Sequence, residues 1–368
     1  MPNRDWSHLL DIPTFPADRY ASVAERLGAL MGTRNDVLLI QAEAVVALEA
    51  VATSLARPGL SALNIVTSPY GTWFGNWLQR GGSDVVNLTA EAGRPVDAQA
   101  VQAALDANPG VTVLALVHAE SASGILNPLE DIVTLARARG ILTIVDAVAS
   151  IGGHALAVDR LGIDIAVIGP QKSLGGPAGL SALSISPKAW RHLQRDTAPR
   201  SSILSLMDQK EQWLDTGRLA LPGTPSPLEF FALQAALDRI EAESMEQVVK
   251  RHDLAKRATR SGLSALGAQL WVEDHAASAL VTTAVLPSSI DRDTFLSRRV
   301  IAGADLSPGV GPGTERLIRL NHTGPRANEE SVLANLTAYS RALDAADQPN
   351  DLDQGLRAVV EIYRVPKS

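Results

Sequence analysis

Along the first half of the chain, short and nearly unbroken apolar runs alternate with longer stretches in which apolar and polar positions interleave at helical spacing. Val37–Ile40, Ala62–Val66, Val111–Val117, Leu142–Val145 and Ile163–Ile168 are of the first kind. A strand that is apolar at successive positions, rather than at every second one, is covered on both faces. Ala44–Leu55, Gly75–Arg80, Ala98–Ala107 and Leu129–Arg139 are of the second kind and predict helices. Buried strands separated by helices predict an α/β fold with a mainly parallel central sheet flanked by helices. On such a sheet, ligands bind beyond the carboxyl ends of the strands.

A long helical pattern begins near Leu228 and continues through Phe231, Leu233, Leu237 and Ile240. After it the character changes. Leu270–Val272 and Ala279–Leu286 read as strands of a smaller α+β domain, and the polar segment Asp344–Asp353 as a mobile connection before a last strand-like stretch, Ala358–Val365. The expected division is a large domain over residues 1–240 and a small C-terminal domain over residues 241–368.

Two strand ends carry candidate chemistry. Leu142–Val145 runs into Asp146 within ILTIVDAVASIGG. An acid at the end of a buried strand is costly without a partner. A protonated pyridine nitrogen is one such partner, and a cap for the following helix is the plainer alternative. Ile163–Ile168 runs into GPQKSLGGPAG, so Lys172 also stands just past a strand, in a glycine-rich loop. Desolvation there can lower a lysine pKa enough to make the amine a nucleophile toward a carbonyl.

Composition narrows the field by exclusion. The net charge of -7 gives no reason to expect nucleic acid or an anionic membrane as partner. The absence of cysteine removes disulfides, thiolate zinc sites and a cysteine nucleophile, and no metal site is expected. The longest apolar runs fall far short of a membrane span, and the start lacks a basic stretch followed by a long apolar one, so a cytoplasmic protein is expected.

Asp146 in VDAVASIGG followed by Lys172 in GPQKSLGGPAG resembles the class V aminotransferases of pyridoxal-phosphate fold type I. Further motifs follow in the family's order. HAESASGILNP resembles the loop that contacts the cofactor phenol oxygen, which implies that role for Ser121. Tyr70 falls where the family places an aromatic stacked on the pyridine ring, and Arg319 in LIRLNHTG resembles its substrate-carboxylate arginine. Gln171 and Thr224 match phosphate-side positions, and RLALPGTPSP resembles a segment that reaches into the partner subunit's site. The resemblance implies an aminotransferase, a Schiff base between Lys172 and a pyridoxal-type aldehyde, Asp146 on the ring nitrogen, and a homodimer. Taken singly, Tyr70 could be packed in the core, Ser121 could be a turn residue, and Arg319 could pair with Glu315.

The phosphate end departs from the family. A small, hydroxyl-rich turn usually opens the helix after the first strand, where backbone N–H groups cradle the phosphate. This chain reads LLIQAEAVVALEA, with Glu43 and Val45 at those positions, and Leu221 replaces a tyrosine in the later segment. A carboxylate there fills the phosphate volume and repels a dianion. The pattern AEAVVALEA with YGTWFGNW resembles a branch of the family in which unphosphorylated pyridoxal or pyridoxamine is a substrate. That resemblance implies amino exchange between pyridoxamine and pyruvate, giving pyridoxal and L-alanine. One alternative is a conventional enzyme of the alanine/serine–glyoxylate type that keeps pyridoxal 5'-phosphate as cofactor, with Glu43 turned to solvent. Another is a non-catalytic protein that binds a B6 vitamer.

Overall fold

The structure, a computed structural model, describes residues 7–219, 221–298 and 301–364. Seven strands form the central sheet: β1 (Asp36–Ile40), β2 (Ser61–Val66), β3 (Asp84–Thr89), β4 (Val113–Val117), β5 (Leu142–Asp146), β6 (Ile165–Ile168) and β7 (Ser181–Ile185). Their spatial order is β1-β7-β6-β5-β4-β2-β3. β2 to β6 run parallel, whereas β7 is antiparallel to both of its neighbours. β1 therefore points the same way as the parallel strands, and their carboxyl ends share one edge.

β4 to β7 are buried at every position, as continuous apolar runs require. β3 and β7 are absent from the expected elements for opposite reasons. β3 is one of the two edge strands, partly exposed along its length, and its sequence mixes Asp84, Asn87 and Thr89 with valines. β7 lies inside the sheet between β1 and β6, yet two of its five residues are serines, Ser181 and Ser184, both buried.

The helices Ala44–Leu55 and Ala98–Ala107 lie where the spacing predicts. The helix expected from Gly75 begins earlier, at Pro69, with Ser68 as its cap and proline in its first turn. This places Tyr70 on a helix rather than in a loop. Gly71 has no room for a side chain, since a Cβ would lie 2.8 Å from the carbonyl oxygen of Ile65. The helix start therefore packs directly on the end of β2 and fixes Tyr70 over the sheet edge.

A second sheet of four antiparallel strands follows: β8 (Gln269–Leu270), β9 (Val281–Val285), β10 (Leu306–Pro308) and β11 (Leu317–Asn321), in the order β10-β11-β9-β8. The large apolar core draws on residues from Phe15 to Val248, and a second core on residues from Ala255 to Val359.

The chain end corrects one expectation. Residues 358–364 belong to a helix, Leu352–Arg364, not a strand; Val365 lies outside the described residues. Leu352, Leu356, Val359 and Tyr363 recur at intervals of four, three and four, which sets them on one helical face. That face packs closely: a Cβ at Gly262 would lie 2.7 Å from Val359. The link before it, expected to be mobile, is tied by Asn350 Nδ2 donating to Asp344 Oδ1 at 2.7 Å. Among the described residues, no helix is long and apolar enough to cross a membrane.

Candidate active site

The parallel strands deliver their following residues to one pocket. β5 ends in Asp146, β4 runs out to Glu120 and Ser121, β2 leads to Tyr70, β6 to Lys172, and β1 to Glu43. These six residues line one pocket, alongside apolar side chains such as Leu48 and Val148.

Lys172 Nζ donates to Ser121 Oγ at 3.2 Å. Burial pushes the lysine pKa down, Arg319 pushes it down further, and Glu43 and Asp146 act in the opposite direction. Asp146 is buried, and its Oδ1 accepts from the Val148 backbone N–H at 3.0 Å. Burial raises its carboxyl to about 6, against the opposing effects of that hydrogen bond and of Lys172. A cationic N–H facing the carboxyl would restore its ionised form.

Tyr70 is half-buried at the pocket wall, with its ring edge-on to Trp73 at 5.4 Å between centroids. Its backbone N–H donates to Ser68 Oγ at 3.3 Å. It faces the cavity and is not a core residue. The pocket thus presents an aromatic face, an amine of lowered basicity, an acid that needs a cationic partner, and a hydroxyl. This donor set fits an aromatic aldehyde with a basic ring nitrogen, as a pyridoxal-type group provides.

Glu43 caps the helix Ala44–Leu55. Its Oε2 accepts from the Val45 N–H at 2.8 Å, and its Oε1 accepts from Gln171 Nε2 at 2.8 Å. The carboxylate turns toward the pocket wall, although the residue stays exposed in the single subunit. A helix N-terminus is where backbone N–H groups could cradle a phosphate. Here one of them is already satisfied by the chain's own anion.

Arg319 lies on β11 at the rim. Its Nε donates to the Pro308 carbonyl at 2.8 Å, and a terminal nitrogen donates to the Ser121 carbonyl at 2.6 Å. The pairing with Glu315 does not form; Glu315 Oε1 instead accepts from the Gly313 N–H at 3.1 Å. Burial pushes the Arg319 pKa down; an arginine guanidinium nevertheless stays charged in proteins. Two fixed hydrogen bonds leave its other donors for an anion.

Thr224 is not brought into this pocket. It is exposed, and its carbonyl accepts from Gln41 Nε2 at 3.0 Å, while Gln41 Oε1 accepts from the Ser226 N–H at 2.7 Å. Gln41 therefore pins the 224–226 segment beside the end of β1.

Sequence reasoning missed Glu120, a fully buried acid in the pocket wall. Its Oε1 accepts from Thr67 Oγ1 at 2.6 Å, and Asn127 Nδ2 donates in turn to Thr67 Oγ1 at 2.9 Å. Burial raises its carboxyl to about 7, opposed by the hydroxyls of Ser68 and Thr67. The signal was available: like Asp146, it is an acid closely following a buried strand.

The sequence profile of the aminotransferase class-V family matches residues 17–302. Pyridoxamine–pyruvate transaminase of Mesorhizobium japonicum is 34% identical over 346 residues, 93% of this chain and 88% of that protein. Alanine–glyoxylate aminotransferase of Callithrix jacchus is 32% identical over 328 residues, 87% of this chain and 78% of that protein. The crystal structure of pyridoxamine–pyruvate aminotransferase from Mesorhizobium loti superposes with a TM-score of 0.90 at 33% identity, covering 94% of this chain and 89% of that one. The chain belongs to the class-V aminotransferases, fold-type-I enzymes that use a pyridoxal-type cofactor.

Proposed function

We propose that this class-V aminotransferase exchanges an amino group between pyridoxamine and pyruvate, giving pyridoxal and L-alanine, with the B6 ring arriving as an unphosphorylated substrate. The observation that carries the reading is Glu43, whose carboxylate is fastened at both oxygens beside the N-terminus of the helix Ala44–Leu55. A phosphate dianion there would meet a like charge at a few ångströms and lose the Val45 N–H as donor. A neutral hydroxymethyl group can donate to the same carboxylate. The similarity to a protein named pyridoxamine–pyruvate transaminase points the same way.

The bound ring supplies a carbonyl or amino carbon and withdraws electrons from the carbon that changes its proton. The remaining work falls to this chain. Asp146 holds a proton on the ring nitrogen, and its own pKa falls as that cation arrives. Tyr70 covers one face of the ring and keeps water from it. Ser121 Oγ, already an acceptor for Lys172 Nζ, holds the amine near the phenol-oxygen edge. Lys172 carries the proton between substrate carbon and ring-linked carbon; its lowered pKa places more of it in the base form near neutrality. Arg319 binds the carboxylate of pyruvate or alanine with the donors left free by Pro308 and Ser121.

A second reading has the alanine–glyoxylate aminotransferases behind it: pyridoxal 5'-phosphate held as cofactor, with glyoxylate as acceptor. The two readings separate in one assay. Purified protein incubated with pyridoxamine and pyruvate should release pyridoxal and L-alanine in equal amounts. Protein that instead gives no pyridoxal, yet aminates glyoxylate from alanine only when pyridoxal 5'-phosphate is added, follows the second.

A further inference from the structure

Gln171 is the residue immediately before Lys172, and its amide nitrogen is the only side-chain donor on Glu43 among the described residues' hydrogen bonds. The amide lies tightly against the loop backbone, since a Cβ at Gly169 would stand 2.3 Å from Gln171 Oε1. That oxygen is buried without a hydrogen-bonding partner. Rotating the amide by a half turn would set its oxygen against the Glu43 carboxylate, two acceptors face to face. The donor must therefore be the nitrogen, and it must point at Glu43.

We propose that Gln171 is a positioning residue whose amide holds the Glu43 carboxylate in the pocket wall and thereby sets the discrimination against a phosphorylated ring. This rests on the reading that the ring arrives without phosphate. A glutamate cap held only by its own helix N–H keeps several rotamers, and the exposure of Glu43 makes an outward swing inexpensive. The Gln171 bond removes that freedom. It also commits a donor that could otherwise serve an anion. Both effects act against phosphate. Without Glu43, the same amide loses its partner and becomes a free donor beside Lys172, so its effect on phosphate should change sign.

The test is an absorbance titration of the purified full chain with pyridoxal and with pyridoxal 5'-phosphate. Four forms are compared: the native chain, Gln171→Met, Glu43→Gly, and the two together. Thermal melts of the unliganded proteins verify folding. Gln171→Met should reduce the preference for pyridoxal over its phosphate ester by roughly ten-fold, the loss of one hydrogen bond to a charged group. In the Glu43→Gly background the same change should instead weaken binding of the phosphate ester by a similar factor. Gln171→Asn, which withdraws the amide by one methylene, should give the same first shift and serves if the methionine variant fails to fold. If Glu43→Gly shifts the preference but neither Gln171 variant does, Gln171 positions nothing and the proposal is overturned while the unphosphorylated reading stands. If Glu43→Gly itself leaves the preference unchanged, that reading falls and the proposal falls with it.

Discussion

The ring end of the pocket is built from groups whose charge burial leaves unsettled, whereas the far end is built from groups already bonded to one another. Asp146 and Glu120 are raised to about 6 and about 7, and Lys172 is lowered, all chiefly by desolvation. Each would be relieved by a ligand that brings the opposite charge or a proton. At the other end, Glu43 is satisfied by Val45 and Gln171 before anything binds. Chemistry needs the first arrangement, because a group that moves protons must be able to change state. Selection needs the second, because a wall that yields does not exclude. Substitutions at the two ends should therefore fail differently.

The largest effect is expected at the ring end. Lys172→Ala should lower the rate of pyridoxal formation by roughly 10³-fold and abolish the visible chromophore formed with pyridoxal, as stopped-flow absorbance can follow. A chromophore that survives would remove Lys172 from its role. Asp146→Asn should cost about 100-fold in kcat with a smaller change in pyridoxal affinity, because the amide keeps the shape and loses the charge that stabilises the ring proton. An equal loss in both parameters would mean that Asp146 only holds the ligand. Arg319→Ala should raise KM for pyruvate by about 10–100-fold and leave pyridoxal binding nearly unchanged, which initial-rate kinetics against each substrate can separate.

The smallest effect concerns stability. His118, His252 and His322 are buried and His154 is half-buried, and desolvation lowers the four to about 4 (His118), 4 (His252), 3 (His322) and 3 (His154). His252 Nε2 accepts from the Gly324 N–H at 2.9 Å and His154 Nε2 from the Ala279 N–H at 3.0 Å, so protonation would break both bonds. A folded pKa below the unfolded value of 6.5 means that these groups favour the fold fully above pH 6.5. That contribution is lost as pH falls toward 4. Asp146 and Glu120 have the opposite sign: raised above their unfolded values, they favour the fold at low pH and lose that contribution as pH rises through about 6 and 7. Four histidines outweigh two acids, so the melting temperature should drop by several degrees between pH 7 and pH 5. A flat profile would show that the histidines do not stay neutral. Glu120→Gln should steepen the drop, since it removes one opposing group.

How much could be read from the chain depended on whether a residue's setting was local. The placement of Asp146 and Lys172 at one pocket was legible because each stands just past an unbroken apolar run, and strand order on a parallel sheet does the rest. Tyr70, Ser121 and Arg319 needed the family pattern, since nothing in their immediate spacing separates a pocket wall from a core or a turn. Glu120 escaped because a strand end shows in the local pattern but the burial of a side chain three residues beyond it does not. Its burial comes from Thr67 and Asn127, residues distant along the chain. β7 escaped because serines dilute its apolar run, although its backbone is as buried as that of its neighbours. The terminal helix was misread because Ala358–Val365 holds several β-formers, while the spacing that makes it helical starts six residues earlier, at Leu352. The bond between Glu43 and Gln171 spans 128 residues and no local pattern contains it.

The contrast between the two ends comes down to whether the ring arrives with its phosphate. The direct measurement is a paired titration of the freshly purified chain with pyridoxal and with pyridoxal 5'-phosphate, followed by denaturation and identification of any B6 compound released. If the ring arrives without phosphate, pyridoxal binds saturably, the phosphate ester binds at least about ten-fold more weakly, and no phosphorylated vitamer is retained through purification. Tight binding of pyridoxal 5'-phosphate, recovered in one-to-one amount on denaturation, would contradict it.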